Sequence, residues 1–131
     1  MFAKNGPAGL DAQQESALRY NHLAEREAAK IPGLEGANAR DLRIVGVAGA
    51  GTMGSGIAAA LLAAGYDVIC VEQNREAAEE GRARIVAIFE RRVASGRLAR
   101  DDMDERLARL TCAHAIAAFA PCDLVIEAVF D

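Results

Sequence analysis

Residues 42 to 71 leave the chain little freedom of fold. Leu42-Arg43-Ile44-Val45-Gly46-Val47-Ala48 is a near-continuous apolar run rich in β-branched side chains, short enough to be a strand buried on both faces. It runs directly into Gly49-Ala50-Gly51-Thr52-Met53-Gly54. Met53, Ile57, Leu61 and Ala64 then recur at helical spacing, and Gly65 stands where a left-handed C-cap is wanted. The pattern predicts a tight turn into a helix over about residues 52 to 64. A second strand, Asp67-Val68-Ile69-Cys70-Val71, follows within three residues. Strand, helix and strand make one βαβ unit, whose crossover places the two strands parallel.

The rest of the chain is read around that unit. Asn5, Gly6, Pro7 and Gly9 make the first ten residues loose, and Asp11 with Gln14 forms a helix start of capping-box type. A helix of about twenty residues follows, with a weak apolar side through Leu18, Leu23, Ala24, Ala28 and Ile31, ended by Pro32 and Gly33. Residues 32 to 41 have linker composition, so the expected organisation is an N-terminal helix and linker at 1–41 and a domain at 42–131. Asn74 caps a long helix running to about Ser95, with Ala78, Ile85, Ile88 and Phe89 inward and Gly96 closing it. A short helix at about 101 to 109, an extended piece at Leu110 to Ala113 and a helical turn through Ile116 and Phe119 come next. Asp123-Leu124-Val125-Ile126-Glu127-Ala128-Val129 then reads as another buried strand. The expected class is α/β: an incomplete Rossmann-type parallel sheet of four strands in order 3-2-1-4, preceded by the N-terminal helix. In that order the fourth strand is an edge, and its apolar run at 124–129 is a surface for self-association.

A GxGxxG string between a strand and a helix has a definite chemical use. Gly49 permits the tight turn, Gly51 lacks the Cβ that would collide with an approaching pyrophosphate, and Gly54 lets the helix lie close to the strand. Backbone N–H groups and the positive end of the helix then face a dianionic ligand without any Lys or Arg. At the end of the second strand stands Glu72, placed to accept hydrogen bonds from the 2′- and 3′-hydroxyls of an adenine ribose. NAD satisfies that carboxylate, whereas a 2′-phosphate meets a like charge costing on the order of 4 kcal/mol at about 4 Å with an effective dielectric near 20. Arg75 is near enough in sequence to soften the preference. The plainer alternatives are a helix-capping turn with no ligand and a solvated acid at a strand end. A Rossmann-like methyltransferase is a further one, against which the third glycine counts.

Composition removes other classes. The 131 residues carry 15 Lys+Arg against 19 Asp+Glu, a formal charge of −4, so there is no basic surface for nucleic acid or an anionic membrane. Aromatic residues are 5% of the chain and Trp is absent, which removes stacking platforms for single strands. No window holds the roughly 20 uninterrupted apolar residues needed to cross a bilayer, and residues 1 to 10 lack the pattern of a secretory signal. These features lead us to expect a cytoplasmic protein. Cys70, Cys112 and Cys122 are odd in number and in no CxxC spacing, against a disulfide framework or a zinc site; they read as buried thiols.

Three blocks carry a resemblance: Val47-Ala48-Gly49-Ala50-Gly51-Thr52-Met53-Gly54-Ser55-Gly56-Ile57-Ala58, Val71-Glu72-Gln73-Asn74, and Asp123 to Val129. Together they resemble the NAD-binding domain of L-3-hydroxyacyl-CoA dehydrogenases over about residues 42 to 131. The stretch Ala24 to Gly33 is similar to the connector preceding this domain in fused hydratase–dehydrogenase proteins of fatty acid β-oxidation, so the chain looks like a piece of such a protein. The resemblance implies that Gly49, Ala50, Gly51, Thr52, Met53 and Gly54 hold the pyrophosphate. It implies that Glu72 and Gln73 face the adenosine ribose and that Ala128 and Val129 line the cofactor through backbone. Asp131 falls where the family has a Glu contacting the nicotinamide-side ribose, one methylene shorter. It implies an acyl-CoA substrate for the full-length protein, with its headgroup near the long helix, where Arg91 and Arg92 stand but also read as a solvated basic face.

The family's reaction is hydride transfer from C3 of the L-3-hydroxyacyl-CoA to nicotinamide, with a His oriented by a Glu taking the hydroxyl proton. In the family that His lies beyond the last strand seen here. His22 and His114 do not match it and read as surface or capping residues, and Glu127 is not its partner. No catalytic residue is expected in the chain, so it binds NAD without turnover. Two further readings stay open: a non-enzymatic dinucleotide-binding or sensing module, and another NAD-dependent hydroxy-acid dehydrogenase. A homo-oligomer, or association through 124–129, is expected.

Overall fold

A computed structural model describes residues 11–34 and 36–129. The loose segment expected at 1–10 and the ribose contact expected of Asp131 lie outside the described residues. The chain divides into two compact units, residues 1–40 and 41–131.

The first unit contains helix α1 (Ala12–Ala28). Asp11 accepts from the N–H groups of Gln13 and Gln14 at 2.9 and 2.8 Å, and the Gln14 side chain accepts from the Asp11 N–H at 3.0 Å. The capping box thus forms reciprocally. The helix stops at Ala28, earlier than its composition suggests. Pro32 has no N–H to return to Ala28 and bars Ile31 from helical geometry, and Lys30 closes the end with a tighter bond to the Glu27 carbonyl at 3.0 Å. No residue of α1 is buried, and Leu18 and Leu23 are exposed.

The second unit is built on β1 (Ile44–Ala48), α2 (Thr52–Ala63), β2 (Asp67–Val71), α3 (Arg75–Ala94), α4 (Arg100–Ala108), β3 (Leu110–Ala113) and β4 (Leu124–Glu127). The strands pair in parallel in the order β3-β2-β1-β4, as the sequence predicts. Parallel register partners share a face, so Val45 with Val68 and Leu110, and Val47 with Cys70 and Cys112, form two rows. Val47, Val68, Cys70 and Leu110 pack with Ala58, Ala59 and Leu62 of α2, Ile85 and Phe89 of α3 and Met103 of α4. Val47, Leu62, Ile85 and Phe89 are fully enclosed. At roughly 1.5–3 kcal/mol for each fully buried large side chain, this row of apolar contacts supplies most of the unit's cohesion.

On the other face, Gly46 of β1 lies under the 3-10 turn Ile116–Phe119, where an added Cβ would stand 2.7 Å from the Phe119 ring. Asp123 fastens β4 to the start of β1: its Oδ2 accepts from the N–H groups of Arg43 and Ile44 at 2.8 and 3.0 Å. Gly65 and Gly96 follow α2 and α3 with φ of 98° and 71°, the left-handed stops their positions predict.

Two expectations need correction. The segment 124–129 is not a buried strand: β4 covers only Leu124–Glu127, and Leu124 and Val125 remain 45% and 44% exposed. An apolar run says that a strand can be buried on both faces, whereas β4 has β1 alone as its sheet neighbour. Of the three thiols only Cys70 is buried; Cys112 and Cys122 are half-buried.

Candidate functional site

The three glycines of the turn are needed for three different reasons. Gly49 follows β1 with φ 87°, its N–H donates to the Val71 carbonyl at 2.9 Å, and a Cβ there would sit 2.9 Å from the Ala128 carbonyl oxygen. It combines a left-handed backbone with a crowded site. Gly54 is buried in the first turn of α2, where a Cβ would overlap the Gly49 carbonyl oxygen. Gly51 is the opposite case: its φ is −69° and nothing lies within 4 Å of where a Cβ would stand. Neither strain nor packing inside this unit accounts for a glycine at that position, and the open space in front of it fits the close approach of a ligand.

Gly51 is also the N-cap of α2, and no side chain caps the helix. Its first-turn N–H groups have no intrahelical acceptors, and no acidic residue stands in that turn. The helix start therefore presents partial positive charge with no competing carboxylate of its own. The Gly51 carbonyl accepts from both the N–H and the Oγ of Ser55, at 2.9 and 2.7 Å.

Glu72, just beyond β2, closes the other side. Its N–H donates to the Ala113 carbonyl at 3.0 Å, and its Oε1 accepts from the Ala50 N–H at 2.5 Å. The expectation was that the carboxylate serves ribose hydroxyls; in this structure one of its oxygens also tethers the glycine turn. An ionised carboxylate has about four acceptor positions, so capacity remains for hydroxyl donors.

Gly49, Gly51, Glu72, Gln73, Ala128 and Val129 line one cavity of about 310 Å³, together with Val71. Six of the residues singled out from sequence thus meet around one space at the carboxyl ends of the strands, where open α/β sheets bind ligands. Ala50 is buried and reaches this space only through its N–H to Glu72. Thr52 and Met53 stand exposed on the first turn of α2, and Gly54 is packed beneath it. Ala128 N–H donates to the Ala48 carbonyl at 2.8 Å, continuing the β1–β4 pairing to the cavity wall.

Sequence reasoning missed the residues that support the turn from behind. At Gly81, inside α3, a Cβ would stand 2.5 Å from the Ala50 Cβ, and Arg84 Nη1 donates to the Ala50 carbonyl at 3.2 Å while its Nη2 pairs with Glu80 at 2.9 Å. The available signal was Gly81 itself, since a helix-interior glycine costs about 1 kcal/mol against alanine and marks a close approach. His22 and His114 are exposed, His22 beside Glu25 at 3.7 Å. Arg91 and Arg92 are exposed in the last turn of α3, where they complement the helix dipole. Among the described residues no group of His, Cys, Asp or Glu could hold a metal ion, and no helix is long and apolar enough to cross a membrane.

Residues 44–131 match the family model described as 3-hydroxyacyl-CoA dehydrogenase, NAD binding domain. The chain is 33% identical to a peroxisomal fatty acid beta-oxidation multifunctional protein of Arabidopsis thaliana, over 97% of this chain and 19% of that protein. It is 40% identical to a 3-hydroxybutyryl-CoA dehydrogenase of Mycobacterium tuberculosis, over 66% of this chain and 30% of the relative. The crystal structure of 3-hydroxybutyryl-CoA dehydrogenase from Escherichia coli superposes with a TM-score of 0.66 at 35% identity, over 70% of this chain and 20% of that one. The chain thus spans less than a third of the length of each of these relatives.

Proposed function

The chain belongs to the 3-hydroxyacyl-CoA dehydrogenase family through its NAD-binding domain, and on that footing we propose that it is the cofactor-holding portion of an enzyme oxidising L-3-hydroxyacyl-CoA to 3-ketoacyl-CoA in fatty acid β-oxidation. NAD is the cofactor of this domain; when bound it supplies the hydride acceptor. The chain's own residues hold it and choose it. The first-turn N–H groups of α2 and the turn from Gly49 to Gly54 receive the pyrophosphate, with Gly51 leaving it room. The Glu72 carboxylate accepts from the adenosine ribose hydroxyls while still holding Ala50, and its charge disfavours a 2′-phosphate. Gln73 flanks that ribose, and Ala128 and Val129 line the same space.

The chain on its own binds NAD without turnover, because neither exposed histidine stands at the cavity and the family's proton-abstracting His–Glu pair belongs to other parts of the full-length protein. The reading rests on one observation: an uncapped helix start, an unobstructed Gly51 and an acidic strand end converge on a single cavity of about 310 Å³. Calorimetric titration with NADH and NADPH tests it. NADH binding with NADPH at least about tenfold weaker is expected, the direction set by like-charge repulsion at Glu72. Equal affinities refute the role of Glu72. Oxidation of NADH by the chain on addition of acetoacetyl-CoA refutes the placement of the catalytic base elsewhere.

A further inference from the structure

A second cavity, of about 390 Å³, lies at the end of β3 beside the first turns of α3, lined by Arg75, Glu79, Arg82, Cys112 and His114 among others. None of these residues lines the cavity assigned to the dinucleotide. Cys112 opens onto this space and is at the same time the register partner of Cys70 on the neighbouring strand. Parallel partners point to the same face, which sets the two thiols side by side, each the largest influence on the other's ionisation. Adjacent strands run about 4.8 Å apart, within the roughly 4.4–6.8 Å between Cα atoms that a disulfide spans. Cys70 is enclosed in the core and cannot be reached from solvent, while Cys112 is half-buried at the cavity wall.

We propose that Cys112 and Cys70 are a thiol pair oxidised by small disulfides that carry carboxylates, with Cys112 attacking and Cys70 resolving. Arg75 and Arg82 give the mouth of the cavity its charge preference, with Glu79 the one acid and His114 the one imidazole along the wall. The Cys112 thiolate attacks one sulfur of the small disulfide, that S–S bond breaks, and one thiolate leaves and takes up a proton. Cys70 then attacks the Cys112 sulfur, that mixed S–S bond breaks, and the departing second thiolate takes up the Cys70 proton. One small disulfide is reduced to two thiols as the protein dithiol becomes a disulfide. The environment divides the roles in the same sense: the hydrogen bond from Cys70 and the Arg82 charge hold the Cys112 thiol below its ordinary range against the opposing effect of burial. Cys70 is pushed well above its own range by that bond and by burial. Burial, and after it the Asp123 charge, push the Cys122 thiol up.

The test is peptide mass mapping of the full chain after exposure to oxidised glutathione, an anionic disulfide, and to cystamine, a cationic one. The first glutathione adduct is expected on Cys112, at a rate on the order of threefold or more above Cys122, since a larger thiolate fraction outweighs the accompanying loss of nucleophilicity. The adduct then disappears as a Cys70–Cys112 disulfide forms. Cys70→Ala halts the sequence at the Cys112 adduct, and Arg75→Gln slows glutathione about threefold while leaving cystamine unslowed, as expected for loss of one charge within a Debye length. Equal labelling of Cys112 and Cys122 overturns the proposal, as does a wild-type Cys112 adduct that persists as in Cys70→Ala. The wild-type mapping needs no variant to fold, and neither arm uses NAD, so failure here leaves the cofactor reading standing.

Discussion

Gly51→Ala and Gly54→Ala add the same methyl group three residues apart and should fail in opposite ways. At Gly51 the backbone φ of −69° suits alanine and nothing lies within 4 Å of the new methyl. The loss of unfolded-state entropy stabilises by about 0.4–1 kcal/mol where the backbone is compatible, and the poorer N-cap costs a similar amount, roughly 0.5–1 kcal/mol. The net effect on Tm is therefore within about 5 °C, at about 4–8 °C per kcal/mol for a unit of this size. On the proposed reading, the methyl does, however, occupy the approach of the pyrophosphate. Losing even one hydrogen bond to a charged oxygen costs about 1.5–3 kcal/mol, or roughly ten- to a hundredfold in NADH affinity. At Gly54 the methyl would overlap the Gly49 carbonyl group. Overpacking of this kind costs about 1–3 kcal/mol, a fall in Tm of roughly 5–20 °C. Thermal melting followed by NADH fluorescence titration separates the two. A Gly51→Ala chain that binds NADH as tightly as wild type, or one that melts as early as Gly54→Ala, refutes the division of labour between the two glycines.

Further outcomes follow from other contacts. Glu72→Ala removes both the ribose acceptor and the partner of the buried Ala50 N–H; calorimetry should show NADH affinity down roughly tenfold or more and the gap to NADPH narrowed. Asp123→Ala leaves the Arg43 and Ile44 N–H groups without their shared acceptor, so urea unfolding should register a loss of about 1–3 kcal/mol. Asn74→Ala deletes the 2.8 Å cap on the Ala77 N–H and should cost about 1 kcal/mol by the same assay. The exposed edge strand β4, with Leu124 and Val125 open on its two sides, should drive concentration-dependent self-association of the isolated chain. A monomeric sedimentation profile with slowly exchanging amides across 124–127 argues against that.

Local signals carried over well because they arise within one or two turns of chain. The capping box at Asp11 and Gln14, the stops at Gly65 and Gly96 and the strand-to-helix turn at Gly49 all depend on neighbours in sequence; the crossover rule made the strands parallel, and the Rossmann-type reading of the glycine turn supplied their order. What stayed illegible was non-local. Nothing near residue 50 announces that Ala50 is pressed between Glu72, Arg84 and Gly81. The exposure of β4 was missed in detail because an apolar run reports what a strand can bury, whereas coverage depends on which elements reach it. Cys112 looked like one more core thiol until its register partner and the adjoining cavity were in view.

The bond from the Ala50 N–H to Glu72 links two recognition tasks that are usually counted separately. On the proposed reading, the group that senses the sugar also holds the bend that receives the phosphates, and neither half of the dinucleotide is read alone. A double-mutant cycle pairing residues 51 and 72 should therefore depart from additivity by at least about 0.5 kcal/mol. Engineering this chain toward a 2′-phosphorylated cofactor by neutralising the acid would loosen the diphosphate clasp in the same stroke, unless a replacement acceptor, such as the amide oxygen of Glu72→Gln, keeps position 50 in hand.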